Sequence, residues 1–282
     1  MISATTRVAA VIGEPVRHSL SPRLHNAAYR ALGLDWVLVA FEVANGGAAA
    51  AIDAARTLDL VGYAVTMPHK TAIASLCDEL SPDAIALRSV NTVTVLADGR
   101  VAGDSTDGAG FLRSLAEAEI DPAGRTVLLL GAGGAARAVA RSLGVAGAQV
   151  VVAARNASAG AEAAALAGGT AVGWDDRTTR AASADIVVNA TPLGMARPGA
   201  SDGADRELFG DRVLGSQHVV VDLVYHPLET PLLRAARERG ATAVSGLGML
   251  VHQAALQVER WTGQPAPLGA MRAAVTEVVG EP

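Results

Sequence analysis

The sequence predicts an α/β protein that folds into two domains. Short segments rich in Val, Ile and Leu alternate with alanine-rich segments of helical periodicity, and this alternation favours mostly parallel sheets covered by helices. A glycine-rich turn between such a strand and such a helix begins at Gly131, near the middle of the chain. With 282 residues, the chain is long enough for one hydrophobic core before that turn and another around it.

In the first half of the chain, the pattern predicts three strands, the helices between them and a hairpin. Ser21 followed by Pro22 is typical of a helix start, in which the serine caps the helix and the proline occupies its first turn. Asp98-Gly99 favours a tight turn between the hairpin strands. The predicted strands are residues 8–13, 36–43, 60–67, 90–96 and 101–103, and the predicted helices are 23–32, 46–58 and one that opens at 69–70.

The second half begins with a predicted helix at residues 109–118, for which Asp107 is a candidate N-cap. Residues 121–124 (Asp-Pro-Ala-Gly) are typical of a linker, and the polar region 196–215 predicts a surface excursion. The remaining strands are predicted at 127–130, 149–153, 185–189, 218–223 and 241–244, and the remaining helices at 135–143, 228–239, 247–261 and 268–279.

The turn Gly131-Ala132-Gly133-Gly134-Ala135-Ala136 has the spacing of a dinucleotide-binding turn. Gly131 permits a tight turn, Gly133 lets the backbone approach a pyrophosphate, and Ala136 lets the helix lie close to the strand. The unpaired N–H groups and the positive dipole end of the helix then face the phosphates. A tight turn without a ligand is the alternative for a bare glycine pattern, but the flanking strands and helix favour a dinucleotide site.

The end of the next strand indicates which dinucleotide binds. NAD sites usually place Asp or Glu there, to accept hydrogen bonds from the ribose hydroxyls. This chain has Ala154-Arg155-Asn156 and no acid, and the planar guanidinium of Arg155 suits a 2′-phosphate. We therefore predict NADP as the cofactor; the alternative is that Arg155 is a solvated loop residue.

Composition argues against several other classes of protein. A formal net charge of −5 and the lack of a basic run argue against nucleic-acid binding. Charges interrupt every long apolar segment, so no transmembrane span is predicted, and no signal peptide is visible. The single cysteine, Cys77, excludes an internal disulfide and fits a reducing cytoplasm, the location we expect. The six histidines show no metal-ligand spacing, so no metal site is predicted.

Two polar residues are candidates for proton transfer. A nicotinamide exchanges hydride, so the protein must orient a substrate and move a proton. Lys70 and Asp107 each lie at a strand-to-helix junction, and a lysine beside a carboxylate can exchange a proton with a bound hydroxyl. Each also has an ordinary structural explanation, as a solvated lysine at a helix start and as a helix cap.

Eight segments, taken in order, carry a resemblance to a known family. They include Val65-Thr66-Met67-Pro68-His69-Lys70 and Asn189-Ala190-Thr191-Pro192-Leu193-Gly194-Met195. The full set is residues 18–22, 65–70, 90–93, 106–111, 131–138, 189–195, 222–227 and 246–254. On these motifs the chain resembles the shikimate dehydrogenase family over nearly its whole length.

The resemblance implies an enzyme, an NADP-dependent oxidoreductase that reversibly reduces 3-dehydroshikimate to shikimate in the chorismate pathway of aromatic amino-acid biosynthesis. Lys70 and Asp107 would form the dyad that moves the proton at the C3 oxygen, and both would contact the substrate. Ser19 and Ser21 would donate hydrogen bonds to the ring carboxylate, with Tyr225 nearby. The residues implied for the ring hydroxyls are Thr66, Asn91, Asp107 and Gln253.

The resemblance also implies a domain plan and a set of cofactor contacts. Residues 1–106, completed by 246–282, would form the substrate-binding and catalytic domain, and residues 107–245 the Rossmann-type NADP-binding domain. A cleft would then separate the dyad from the glycine turn, in a monomer or a homodimer. For Met249, the alternative to a cofactor contact is packing in the hydrophobic core. The implied contacts are Gly131, Gly133, Gly134, Ala135, Ala136, Ala154, Arg155, Asn156, Thr191, Leu223, Gly246 and Met249.

Three departures from the family pattern bear on the site. Ala64 stands where the family usually has Asn, Ser105 stands where Asn usually precedes Thr-Asp, and Ala154 begins the Arg155 motif in place of Asn. One alternative is a quinate/shikimate or aminoshikimate dehydrogenase that uses NAD(P). A second is a folate-interconverting dehydrogenase, which would not need the paired serines. A third is a non-catalytic dinucleotide sensor, which would not need the dyad.

Overall fold

A computed structural model describes residues 2–195, 208–209 and 213–279. The chain forms two compact units. The first unit comprises the chain up to Thr106 together with Val251–Val278, and the second unit is built on Asp107–Leu250. Each unit contains one sheet flanked by helices, so the predicted α/β class is confirmed. The roles assigned to the two domains stay a prediction at this point.

The sheet of the first unit has six strands. Its order is β2-β1-β3-β5-β6-β4. The strand β1 pairs in parallel with β2 and β3, whereas β5 runs antiparallel to β3 and β6, because β5 and β6 form the predicted hairpin. The elements are β1 (Arg7–Gly13), α1 (Ser21–Ala31), β2 (Trp36–Glu42), α2 (Ala48–Thr57), β3 (Gly62–Val65), α3 (Lys70–Ala74), β4 (Glu79–Leu80), α4 (Pro82–Leu87), β5 (Thr92–Val95) and β6 (Val101–Asp104).

The outer edge of β2 is protected by a side chain of α1. The Asn26 amide donates to the Leu38 carbonyl at 2.9 Å and accepts from the Leu38 N–H at 2.7 Å. An edge strand rich in Val and aromatic residues otherwise invites pairing with another chain. Asn26 thus occupies the outward-facing backbone groups in the middle of this strand.

The start of α1 differs from the prediction. The helix begins at Ser21, and the residue before it, Leu20, already has helical dihedrals (φ −86°, ψ −5°). Ser21 therefore lies inside the first turn and does not cap the helix, so that prediction was wrong. Ser19 takes a local role instead, since its Oγ accepts the Ser21 N–H at 3.2 Å.

The second unit is a doubly wound parallel sheet. Its order is β12-β11-β10-β7-β8-β9, with every pair parallel. Read from β9, this is the strand order of the Rossmann fold, in which ligands bind where the order reverses, between β7 and β10. The elements are α5 (Asp107–Glu117), β7 (Thr126–Leu130), α6 (Gly134–Val145), β8 (Gln149–Ala154), α7 (Ala157–Leu166), β9 (Thr170–Gly173), α8 (Arg177–Ala182), β10 (Ile186–Asn189), β11 (Val219–Asp222), α9 (Pro231–Glu238) and β12 (Thr242–Ser245).

Hydrophobic clusters lie on both faces of this sheet because its strands are buried on both sides. Leu129 and Val188 face one cluster, and Leu128 and Val187 face the other. Two long helices end the chain, α10 (Leu247–Thr262) and α11 (Leu268–Val279), and α10 belongs to the first unit from Val251 onward. Most of the predicted surface excursion at 196–215 lies outside the described residues.

Candidate active site

Gly131 forms the tight turn that the sequence predicts at the end of β7. Its φ of 103° lies in the left-handed region, and its N–H donates to the Ala153 carbonyl at 2.9 Å. A Cβ at this position would lie 3.1 Å from both the Ala190 carbonyl oxygen and Thr191 Cγ2. Only glycine satisfies both constraints, and the turn lies at the reversal point between β7 and β10.

The backbone at the start of α6 is open to a ligand. Gly133, Gly134 and Ala135 are exposed, and a Cβ on either glycine would meet no atom within 4 Å. Ala136 is fully buried, so the helix packs closely on the sheet immediately after this open stretch. The first N–H groups of a helix are unsatisfied within the helix, and here they can bind an anionic phosphate.

The residues after β8 fit a 2′-phosphate. Ala154 is buried as the last strand residue, and Arg155 follows it exposed to solvent, with no acidic side chain in the 154–156 stretch. Asn156 has a structural function as well, since its Oδ1 accepts the Ala159 N–H at 3.0 Å and caps α7. Taken together, the open helix start and the cationic Arg155 fit NADP.

A buried polar network joins the ends of β10 and β11. Asp222 is fully buried, and its carboxylate accepts hydrogen bonds from Asn189 Nδ2 at 2.9 Å, the Val224 N–H at 3.1 Å and the Thr230 hydroxyl at 2.6 Å. Asn189 in turn accepts from the N–H and hydroxyl of Thr191, at 3.0 and 2.7 Å. The network therefore fixes Thr191, which lies against Gly131. Thr230 and Asp222 were not among the predicted site residues.

Of the remaining predicted cofactor residues, Leu223 and Gly246 follow β11 and β12, and Met249 lies on α10. Leu223 is half-buried, and a Cβ on Gly246 would lie 2.3 Å from its carbonyl oxygen, so these two backbones touch. Met249 is only 9% exposed and packs in the hydrophobic core with Phe111 and Leu115. Core packing is a sufficient explanation for Met249, and its cofactor contact stays a prediction.

Asp107 opens α5 rather than preceding it. The helix begins at Asp107, so the alternative of an N-cap for a helix starting at Ala109 was wrong. A Cβ on Gly108 would lie 2.7 Å from the Ala138 carbonyl oxygen, so glycine lets α5 contact α6 closely. Asp107 is 9% exposed. The helix that carries Asp107 thus packs directly on the helix that follows the glycine turn.

In the first unit, backbone hydrogen bonds bring Thr66, Lys70 and Asn91 to one edge of the sheet. The Thr66 N–H donates to the Ile12 carbonyl at 2.9 Å. The Lys70 carbonyl accepts the Val90 N–H at 2.9 Å, and the Asn91 carbonyl accepts the Val65 N–H at 2.7 Å. Lys70 and Asn91 are thereby held on backbone next to the end of β3, and their substrate contacts stay a prediction.

The orientation of the Asn91 amide follows from its partners. Its Oδ1 accepts the Thr106 N–H at 2.8 Å, and a backbone N–H can only donate, so the oxygen must face Thr106. The Thr92 hydroxyl donates to the same oxygen at 2.8 Å, and Asn91 Nδ2 donates to Thr106 Oγ1 at 3.0 Å. The Asn91 oxygen is therefore filled by donors, and Nδ2 is the donor end of the amide. Thr106 is joined by a peptide bond to Asp107.

The two serines are half-buried at the start of α1. Ser19 Oγ already accepts the Ser21 N–H, so its single O–H remains a donor. The Ser21 carbonyl accepts from Nδ1 of the buried His25 at 2.9 Å. Burial lowers the pKa of His25 to about 4, with the Ser21 bond opposing that effect, so the ring is neutral at pH 7 and its proton lies on Nδ1.

Two predicted substrate residues lie apart from these strand ends in sequence. Gln253 is half-buried on α10, in the first unit. Tyr225 is half-buried in the loop after β11, in the second unit, and burial raises its pKa. The predicted position of Tyr225 near the substrate carboxylate, beside Ser19 and Ser21, stays a prediction.

Neither a metal cluster nor a membrane-spanning helix occurs in the described part of the chain. Residues 2–195, 208–209 and 213–279 contain no group of three or more His, Cys, Asp or Glu side chains placed to hold a metal ion. Over the same ranges, no helix is both long enough and apolar enough to cross a membrane.

The chain is similar in sequence to proteins of known name. A protein named shikimate dehydrogenase (NADP(+)) from Methanopyrus kandleri is 43% identical, over 98% of this chain and 97% of its own length. The chain belongs to the shikimate dehydrogenase family. Three family models match it: the shikimate dehydrogenase substrate binding domain at residues 11–93, shikimate / quinate 5-dehydrogenase at 114–197, and the shikimate 5′-dehydrogenase C-terminal domain at 246–276.

Solved structures of this family have the same fold. Shikimate 5-dehydrogenase from Thermus thermophilus, in complex with NADP(H) and shikimate, is 35% identical with a TM-score of 0.86, over 96% of this chain and 99% of that one. Quinate dehydrogenase from Corynebacterium glutamicum, in complex with NAD, is 31% identical with a TM-score of 0.89, over 97% of this chain and 99% of that one. The fold class and the family resemblance are thereby confirmed. The fold itself, however, is shared by enzymes of different substrates.

The Asp222 network makes the stability of the protein depend on pH. Burial raises the pKa of Asp222 from its ordinary 3.8 to about 6, because three donors do not fully compensate for lost water. The folded state therefore binds this proton more tightly than the unfolded state does. The resulting stabilisation is complete below pH 3.8 and is lost as the pH rises through 6. Asp222→Asn has nearly the shape of the protonated residue and cannot ionise.

We expect the free energy of unfolding of the unmodified protein, relative to that of Asp222→Asn, to fall by about 2 kcal/mol between pH 4 and pH 7. Urea unfolding of both proteins at a series of pH values measures this difference. Near-UV circular dichroism serves as the control that both are folded alike at each pH. Parallel stability curves would show that Asp222 does not titrate in this range.

Proposed function

We propose that this chain catalyses the reversible, NADP-dependent reduction of 3-dehydroshikimate to shikimate. The observation that carries the proposal is the identity of Lys70, which is the only lysine among 23 Lys and Arg residues. Arginine cannot exchange a proton near neutral pH, whereas a lysine amine can. A chain that uses arginine for every other cationic position keeps a lysine where the family chemistry needs a proton donor and acceptor.

The proposed proton transfer involves Lys70 and Asp107. NADPH, when bound, supplies the hydride that adds to the C3 carbonyl carbon of 3-dehydroshikimate. The C3 oxygen then needs one proton, which the dyad delivers, and in the oxidation of shikimate the dyad removes it. Asp107 is nearly buried, as suits a carboxylate that exchanges its proton with one partner rather than with water. Which member acts as the formal acid is a property of the coupled pair.

The remaining substrate contacts follow from hydrogen-bond polarity. Ser19 has a committed acceptor and a remaining O–H, so it suits the ring carboxylate, and we assign Ser21 to the same group. Asn91 offers an N–H and thus suits the oxygen of a ring hydroxyl, with Thr66, Asp107 and Gln253 binding further hydroxyls. A substrate that lacks one of these hydroxyls leaves a polar group unpaired, which is how such a site discriminates.

The proposed cofactor contacts use the second unit. The start of α6 binds the pyrophosphate, and Arg155 binds the 2′-phosphate that distinguishes NADP from NAD. We assign Thr191, Leu223 and Gly246 to the nicotinamide half, because they lie at the ends of β10, β11 and β12. The enzyme serves aromatic amino-acid biosynthesis in the cytoplasm, as a monomer or a homodimer, and needs no metal or nucleic acid.

A quinate-oxidising enzyme is the second candidate, because one matching family model covers both shikimate and quinate enzymes. Steady-state kinetics with shikimate and quinate, each with NADP⁺ and NAD⁺, decide between the two. We expect kcat/KM to be highest for shikimate with NADP⁺. A higher kcat/KM for quinate would replace our substrate assignment, and no turnover of either substrate would favour a dinucleotide sensor.

Replacing Lys70 tests the dyad. We expect Lys70→Ala and Lys70→Arg to lower kcat by about 10²-fold or more with a modest change in KM, because Arg restores the charge but not the proton transfer. A sample labelled with isotope in lysine alone gives one side-chain NMR signal, which should shift when shikimate binds. Wild-type turnover in Lys70→Arg would reduce Lys70 to an electrostatic role.

Replacing Arg155 tests the cofactor preference. We expect Arg155→Ala to raise KM for NADP⁺ by about tenfold while leaving KM for NAD⁺ within twofold, because only NADP carries the 2′-phosphate. Arg180→Ala, on α8 of the same unit, is the matched control and should change neither value. Equal losses of both cofactors would remove Arg155 from the phosphate site.

A further inference from the structure

A second glutamine of α10 is buried against the proposed hydroxyl site. Gln257 is 1% exposed and lies one helical turn after Gln253, on the same face of the helix. Its Nε2 donates to the Asn91 carbonyl at 3.1 Å and to Thr92 Oγ1 at 3.0 Å. These bonds join residues more than 160 positions apart in the chain.

The direction of both Gln257 bonds is determined by their acceptors. The Asn91 carbonyl can only accept, so the amide nitrogen of Gln257 must face it. The Thr92 hydroxyl accepts from the same nitrogen and thus directs its proton to Asn91 Oδ1, at 2.8 Å. A relay therefore runs from Gln257 through Thr92 to the Asn91 side-chain oxygen. Its effect is to hold the Asn91 amide with its oxygen toward the Thr92 hydroxyl and the Thr106 N–H.

The neighbouring bonds of α10 show that Gln257 is more than a general anchor for the helix. Arg260 forms an ion pair with Asp104, and the Trp261 indole N–H donates to the Val93 carbonyl at 3.1 Å. These two residues hold α10 against β5 and β6. Gln257, by contrast, bonds to Thr92 Oγ1, and the Thr92 hydroxyl in turn donates to the Asn91 side-chain oxygen.

We propose that Gln257 is a positioning residue for the substrate, which acts through Thr92 to hold the Asn91 amide as a hydrogen-bond donor to a ring hydroxyl. The proposal rests on the assignment of Asn91 to the substrate site. It predicts that loss of the Gln257 amide weakens binding of the polyol ring and leaves cofactor binding unchanged.

Gln257→Met tests this directly, because it preserves length and volume and removes the donor. We expect KM for shikimate to rise about tenfold, with kcat changed less and KM for NADP⁺ within twofold. Thr92→Val, which removes only the hydroxyl of the relay, should raise KM for shikimate in the same way. Trp261→Phe is the matched control, since it removes a buried hydrogen bond of the same helix and should lower the melting temperature without raising KM.

A double-mutant cycle separates positioning from stability. If Gln257 acts through Asn91, then Gln257→Met should raise KM for shikimate by no more than about twofold in an Asn91→Ala background. Unchanged KM in both Gln257→Met and Thr92→Val, or effects that add to that of Asn91→Ala, would overturn the proposal. Failure of the wild-type enzyme to oxidise shikimate would instead overturn the proposed function, so the two failures are distinguishable.

Discussion

The structure depends on one constraint: polar side chains at the ends of buried strands must find partners inside the protein. A buried polar group without a partner costs about 1–3 kcal/mol of stability. Each buried polar residue therefore needs other polar groups placed within hydrogen-bond distance. Both units meet this constraint with an asparagine at a strand end. Asn189 accepts from Thr191 and donates to Asp222, and Asn91 accepts from Thr92 and Thr106. In each case the oxygen is saturated by hydroxyl and backbone donors. Asn189 thereby fixes Thr191 in the loop after β10, and Asn91 fixes Thr106 in the segment after β6.

Much of the fold could be predicted from the sequence because its strands are continuous apolar segments. Leu128, Leu129 and Leu130 are buried on both sides, as a parallel strand in the middle of a sheet must be. The glycine turn was predictable for a related reason, since the positive φ of Gly131 and its tight contact with Thr191 strongly favour glycine. Local constraints of this kind leave a mark on a short window of sequence.

Features that depend on contacts between distant segments could not be predicted from a short stretch of sequence. The start of α1 was misplaced because Leu20 has helical dihedrals that nothing in the Ser21-Pro22 pattern indicates. The short strand β4 and the helix α4 went unpredicted, since two residues of strand carry no periodicity. In the sequence, Gln257 is one polar residue within a predicted helix, and Thr230 precedes Pro231 as an ordinary helix cap. Their importance follows only from the strand ends that the fold brings to them.

Hydrogen-bond polarity then decides what the fold alone does not. The same architecture accommodates different polyol substrates, so sheet order and the glycine turn cannot select among them. Selection requires that donors and acceptors be fixed before the substrate arrives, because a side chain that can rotate will satisfy either partner. A free asparagine amide is ambiguous in this sense, since its two ends have nearly the same shape. Asn91 is not ambiguous, because the Thr106 N–H and the Thr92 hydroxyl both direct protons at its oxygen. In the proposed site, the orientation of Asn91 is therefore determined by Thr92 and Thr106, whose bonds to the amide oxygen do not involve the substrate.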